Sequence, residues 1–313
     1  MSILKPALKH IFVSSEGLRS GWSLAIFLAI YSALTLGAQF AFAHVPALQN
    51  WAAAHQDVTP LSQMAFTGLQ LLILLVAVIV VGRVESKSFR NYGWARTGRV
   101  GQQFLLGLVF GFAMSSVLTG FIAICGGYSI TGLAISGVDI FINGLLYGMG
   151  FLLIGINEEF IFRGYMQATL RRGIGFWPAA VILSLVFGAV HLPNAGGLWM
   201  AALLAACFGL VAAFSVKRTG ALWFIVGLHS AFDWSNAFFY SSPLVGLTRQ
   251  GHLLNASLHG PTWLTGGNAG PVGSVFAFVV IGLAGFVIHC IFPPTGTSAE
   301  TALRSKALEA QQA

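Results

Sequence analysis

The chain has 313 residues, 56% of them hydrophobic and only 8% charged, with a formal net charge of +7 and a mean hydropathy of +0.80. A soluble globular domain carries about 25% charged residues, so this chain cannot cover a water-facing surface, and composition points to a multi-pass membrane protein. The basic residues fall at the ends of apolar stretches and not along one face, which argues against a nucleic-acid partner.

The apolar stretches predict about eight membrane helices. The first, 21–44, follows Lys5, Lys9 and Arg19. Its basic start and the AFA at 41–43 resemble a secretory signal, but the apolar run exceeds the ~7–15 residues of one, so an uncleaved anchor is expected. The second covers 61–82. The third, 102–125, contains Gly107-x-x-x-Gly111, a spacing that lets helices approach closely but that specifies little among 38 glycines. The fourth, 139–171, starts at a boundary residue, Asp139, and contains the stretch NEEFIFRG at 157–164. It either runs through or breaks near Gly155. The fifth, 177–192, is short for a ~20-residue span, so it tilts little or extends into Pro193, and Pro193 to Gly197 reads as a tight turn. The sixth covers 197–216 and the seventh 220–240. A loop, 241–271, carries His252, His259 and Trp263 and is read as interfacial, with a lid as the alternative. The eighth span is 272–292. Residues 1–292 are thus expected to form one membrane-embedded domain with a catalytic core at about 139–240, followed by a flexible polar tail, 293–313. Cys125, Cys207 and Cys290 suggest no disulfide frame.

Charge placement supports that count. Arg83, Lys87, Arg90, Arg96 and Arg99 separate spans two and three, Arg171 and Arg172 follow span four, Lys217 and Arg218 follow span six, and Arg304 and Lys306 lie in the tail. The alternate loops 45–60, 126–138 and 193–196 contain no Lys or Arg. Eight spans with both termini in the cytoplasm therefore place every Lys and Arg except Arg163 and Arg249 on the cytoplasmic side.

Ionisable groups inside spans are costly and usually mark function. Here they are Glu158, Glu159, Arg163, His191, His229, Asp233 and His289. At about 100° per residue, Glu159 and Arg163 share a helix face, whereas Glu158 points away from Arg163 by about 140°. Arg163 thus neutralises Glu159 and leaves Glu158 without a local partner. Counted from the cytoplasmic ends of their spans, Glu158, His191 and Asp233 lie at a depth of roughly 20 Å and His229 at roughly 14 Å. His229 and Asp233 share a face at i,i+4. One polar layer of two carboxylates and two imidazoles is expected. His289 has no polar companion at helical spacing and is read as an interhelical hydrogen-bonding residue, and Phe187 shares the face of His191 and is a candidate wall of the site.

Glu158-Glu159-x-x-x-Arg163 followed by Gly164, then Phe187-x-x-x-His191, then His229-x-x-x-Asp233, resembles the three-motif signature of the CPBP intramembrane proteases, also called the Abi or type II CAAX prenyl endopeptidase family. The resemblance covers about 140–240. It implies an all-α, polytopic membrane helix bundle that hydrolyses a peptide bond of a membrane-associated protein or peptide. Glu158 would be the general base on a water held with His191, His229 and Asp233 would polarise the scissile carbonyl or bind an ion, and Glu159 and Arg163 would give structural support. Asp233 stands where the prenyl-protease branch usually has Asn. An ionised Asp cannot donate a hydrogen bond, so Asp233 is protonated, orients His229 or favours a metal. Glu158, His191, His229 and Asp233 form a conceivable ligand set for a divalent metal such as zinc, and metal-free activation of water by glutamate is equally compatible with them. The competing functional classes are a proton-coupled membrane transporter and a non-catalytic scaffold or immunity protein that retains the fold. The expected partners are a membrane-associated substrate and the lipid bilayer, and the expected location is a bacterial inner membrane.

Overall fold

The computed structural model describes residues 11–14, 17–54, 59–94, 98–193, 199–243 and 250–293. Inside hydrocarbon every backbone polar group needs a partner from the protein, which leaves helices as the natural answer for apolar stretches of this length. A short antiparallel pair, β1 (Val13–Ser14) and β2 (Gly17–Leu18), precedes α1 (Ser20–His44) and α2 (Pro46–Ala54). Then come α3 (Pro60–Glu85) and α4 (Val100–Ile124). The strand β3 (Tyr128–Leu133) leads into α5 (Val138–Ile174), α6 (Phe176–His191), α7 (Trp199–Thr219) and α8 (Trp223–Trp234). The chain returns through β4 (Leu254–Leu258) and the single turn α9 (Thr262–Thr265) to α10 (Val275–Ile291).

Helices stand at all eight stretches read from the sequence, and five of them, α1, α3, α4, α5 and α7, are long and apolar enough to cross a membrane. The remaining three are shorter: α6 has 16 residues, α10 has 17, and α8 has 12 before it continues into a π turn at Ser235–Phe239.

The structure keeps the all-α helix bundle and settles several details. The strands β3 and β4 pair antiparallel and join the loops 126–138 and 241–271. The loop 45–60 contains α2. The fourth span does not break near Gly155; it continues as one helix to Ile174, with a π turn at Phe160–Met166. The fifth ends at His191 and does not reach into Pro193. The turn at 194–197, Arg96, Arg249 and the tail 294–313 lie outside the described residues.

The glycine pair of α4 has a definite use. A Cβ on Gly107 would lie 2.1 Å from the carbonyl oxygen of Phe224, and one on Gly111 the same distance from that of Leu228. Across the contact, a Cβ on Gly227 would lie 2.3 Å from the carbonyl oxygen of Phe104. Backbones meet directly here, as small residues permit between membrane helices, and this contact fixes α8 against α4.

The described Lys and Arg residues other than Arg163 gather at one end of the bundle, where Glu85 ties three helices together. Its carboxylate accepts from Arg172 at 3.1 Å, Tyr92 at 3.3 Å and Ser23, and pairs with Lys87 at 3.4 Å. Burial, and then the charge of Glu85, hold the Tyr92 phenol well above its usual pKa, so it stays a donor.

Gly111→Ala and Gly107→Ala are expected to lower the thermal unfolding temperature in detergent, because overpacking costs about 1–3 kcal/mol. Gly120→Ala on the same helix meets nothing within 4 Å and is expected to hold or raise it through helix propensity, by up to about 1 kcal/mol.

Candidate active site

Two helices, α5 and α8, place most of the site. Glu158 and Glu159 close the regular part of α5, immediately before the π turn at Phe160–Met166. Wide turns of this kind are frequent at functional sites, and no simple residue pattern announces this one. Arg163 lies inside the turn, with Nη1 3.2 Å from Glu159 Oε1. Glu159 is fully buried and Arg163 nearly so, with side-chain exposures of 0% and 3%.

The sequence reading pairs Glu159 with Arg163 alone. In the fold His229 Nδ1 also donates to Glu159 Oε1, at 2.7 Å. This contact joins residues 70 positions apart, and helical spacing cannot reveal it. The carboxylate accepts from Nδ1, so the other ring nitrogen, Nε2, is directed into the site. There it lies 3.9 Å from Glu158 Oε2 and 3.6 Å from Asp233 Oδ2.

His191, the last residue of α6, is held in the same manner by a different acceptor. Its Nδ1 donates to the Phe187 carbonyl oxygen at 2.7 Å. A carbonyl only accepts, so in the neutral ring Nε2 carries the lone pair, and it faces Glu158 Oε2 at 3.8 Å. Phe187 therefore has more than one role. Its carbonyl orients His191, and its ring lies under the Arg163 guanidinium, 4.2 Å from centroid to Cζ.

All four residues of the expected polar layer meet. Glu158, His191, His229 and Asp233 line one cavity of about 280 Å³, and every other lining residue is apolar. Glu158 and His191 are partly exposed, at 27% and 23%, whereas His229 is at 8%. The Oε2 atom of Glu158 is nonetheless buried and has no hydrogen-bond partner. Separations of 3.8 and 3.9 Å exceed direct hydrogen-bond length and lie in a range that one water can bridge.

His289 stands apart from this layer and contacts Arg218, in keeping with its interhelical reading. The loop 241–271 contributes to the site: Ala269 and Val272 line the cavity. Pairing of β3 with β4, Tyr128 Oη donating to the Tyr240 carbonyl at 2.7 Å and Tyr147 Oη donating to the Gln250 carbonyl at 2.6 Å hold that loop down. The sequence offered such a cover only as the alternative reading of this loop, because its contacts are between distant loops.

Zinc ligands at ~2.0 Å in a tetrahedral set lie about 3.3 Å apart, closer than the separations found here. Among the described residues no three His, Cys, Asp or Glu side chains are grouped so that they could hold a metal ion. As they stand, Glu158, His191, His229 and Asp233 are spread wider than a zinc ligand set.

Residues 142–235 match the model of a family described as Rce1-like, type II CAAX prenyl endopeptidase Rce1-like. The likeness read from the three motifs is to that family. All four cavity residues fall within the matched segment, and the family is one of proteases. No curated protein matches the chain. With five apolar helices and this family likeness, the chain is an integral membrane protein.

Removing one member of a buried ion pair costs about 3–5 kcal/mol, whereas replacing both is often near neutral. Arg163→Met is thus expected to lower the unfolding temperature sharply, and Arg163→Met combined with Glu159→Gln to recover most of the loss. Equal stability of Arg163→Met and the parent would show that the pair braces nothing.

Proposed function

We propose that the chain is an intramembrane endopeptidase in which Glu158 and His191 activate water to hydrolyse a peptide bond of a membrane-associated protein or peptide. The observation that carries this reading is the buried, unpartnered Oε2 of Glu158, facing two imidazole nitrogens in an otherwise apolar cavity. The family likeness over 142–235 supports it.

The chemistry follows from the donors and acceptors. A water between Glu158 Oε2 and His191 Nε2 gives one hydrogen to each, which leaves its oxygen lone pairs free for attack. Glu158 takes the proton as the oxygen adds to the scissile carbonyl, and the C–O π electrons move onto the oxyanion. In its donating role His229 carries a proton on each nitrogen, one held by Glu159 and the other, on Nε2, directed at that oxyanion. Collapse of the tetrahedral intermediate breaks the C–N bond, and Glu158 returns its proton to the leaving amine. Asp233, 3.6 Å from His229 Nε2, orients the ring and does not act as the donor itself, which accounts for Asp in a position where an ionised carboxylate could not serve an oxyanion. Glu159 and Arg163 are positioning residues.

Removal of a general base costs about 10²- to 10⁴-fold in turnover. Glu158→Gln is expected to lose that much cleavage of a membrane-associated peptide by purified protein, with its unfolding temperature preserved. Normal cleavage would refute the mechanism, and retention of a cellular phenotype without cleavage would favour a scaffold.

Since no step uses a metal, cleavage is expected to persist after prolonged treatment with a chelator, and elemental analysis of the active protein should give no stoichiometric zinc. Loss on chelation with recovery on adding zinc would overturn the glutamate mechanism.

A further inference from the structure

At the basic end of the bundle the ends of α6, α7 and α10 meet. Lys217 Nζ lies 4.6 Å from the ring centroid of Trp177 and 5.0 Å from that of Phe176. Next to it, the Arg218 guanidinium lies 4.8 Å over the Phe214 ring and contacts Nδ1 of His289. Two cations are thus held by rings and an imidazole, with no carboxylate in the group. Arg218 Nη1 is buried and has no hydrogen-bond partner.

Charge balance sharpens the point. The acidic side chains among the described residues are Glu85, Asp139, Glu158, Glu159 and Asp233. Three of them belong to the catalytic cavity and its support, and Asp139 begins α5 at the opposite end. Glu85 is already engaged by Arg172, Lys87, Tyr92 and Ser23. No described carboxylate is left for Lys217 and Arg218. Ring faces attract a cation but do not neutralise it; Lys217 is exposed and Arg218 half-buried, and the planar guanidinium fork suits a phosphate.

The surroundings indicate where such a phosphate comes from. Trp177, Val181 and Leu185 follow one another at i,i+4 on α6 and are exposed at 46%, 44% and 59%. An apolar ladder therefore runs from the cations towards the middle of the helix, with an amphipathic Trp at its polar end, as expected at a membrane interface. A soluble phosphate has no use for that ladder; an acyl chain does.

We infer that Lys217 and Arg218 form a specific head-group site for an anionic phospholipid, with the phosphate on Arg218 and Lys217 and an acyl chain along the exposed face of α6. Basic clusters at helix ends are suited to this recognition.

Native mass spectrometry of the full chain, released from vesicles containing phosphatidylcholine and phosphatidylglycerol with matched chains, tests it. The parent is expected to retain phosphatidylglycerol selectively. Lys217→Gln combined with Arg218→Gln should reduce that selectivity roughly ten- to thirty-fold, from about 1 kcal/mol per basic residue. Lys217→Arg should keep it and show that the protein remains folded. Arg90→Gln, an exposed cation elsewhere at the same end, should also keep it. Equal loss from Arg90→Gln would reveal a diffuse surface potential and overturn the site, as would an absence of selectivity in the parent. Displacement of the lipid by inorganic phosphate would overturn the lipid assignment.

Discussion

A carboxylate in hydrocarbon stays charged only where the protein supplies its counter-charge and its hydrogen bonds. Glu159 is such a group, closed off from the surface and held from two directions. Arg163 reaches it from four residues along the same helix, and His229 from α8. Much of the site's geometry follows from this junction. It fixes the His229 ring by Nδ1, so that Nε2 must face the cavity. It also places the Arg163 guanidinium against the Phe187 ring, which brings α6 into the same arrangement. The three helices that carry the candidate catalytic groups are thus joined by one buried charge pair and its neighbours.

Phe187 links the second half of the site. A ring that supports a cation and a carbonyl that orients an imidazole belong to a single residue, so a shift of α6 would disturb His191 and Arg163 together. The two histidines are constrained alike but not equally. His191 rests on a backbone acceptor, and His229 has carboxylates near both nitrogens. That asymmetry matches the division of labour in the proposed reaction, in which one ring accepts from water and the other donates to the oxyanion. The apolar wall around them keeps these few interactions strong, since charges act more strongly where water is excluded.

The site also depends on packing remote from it. The α4–α8 contact has almost no side chains between the two backbones, so α8 has little freedom to rotate and carry His229 and Asp233 out of register. Above the cavity, the β3–β4 pair and two tyrosine hydroxyls hold the loop that supplies Ala269 and Val272. At the basic end, Glu85 joins α1, α3 and the end of α5. Polar contacts are few in this chain, and those described lie largely where helices must be held at a set rotation.

Composition alone determined the membrane class, and hydropathy located the eight helical stretches to within a few residues, because the cost of exposing backbone in lipid leaves little choice. The rarity of charge in the chain made Glu158, Glu159, Arg163, His191, His229 and Asp233 conspicuous, and helical spacing was enough to pair Glu159 with Arg163. Tertiary structure decided what local periodicity cannot carry. The π turn arises within a stretch whose residues read as ordinary helix. The bond from His229 to Glu159 depends on the rotation of α8, which the glycines at 107, 111 and 227 set by backbone contact. In the sequence Gly107 and Gly111 stood out only as a spacing of low specificity and Gly227 not at all, because a glycine declares its purpose only when the neighbouring helix is known. The cover over the cavity was legible only as an alternative to an interfacial loop, since its strands pair across more than a hundred residues. Which groups are polar was written locally; which of them face each other was settled by packing.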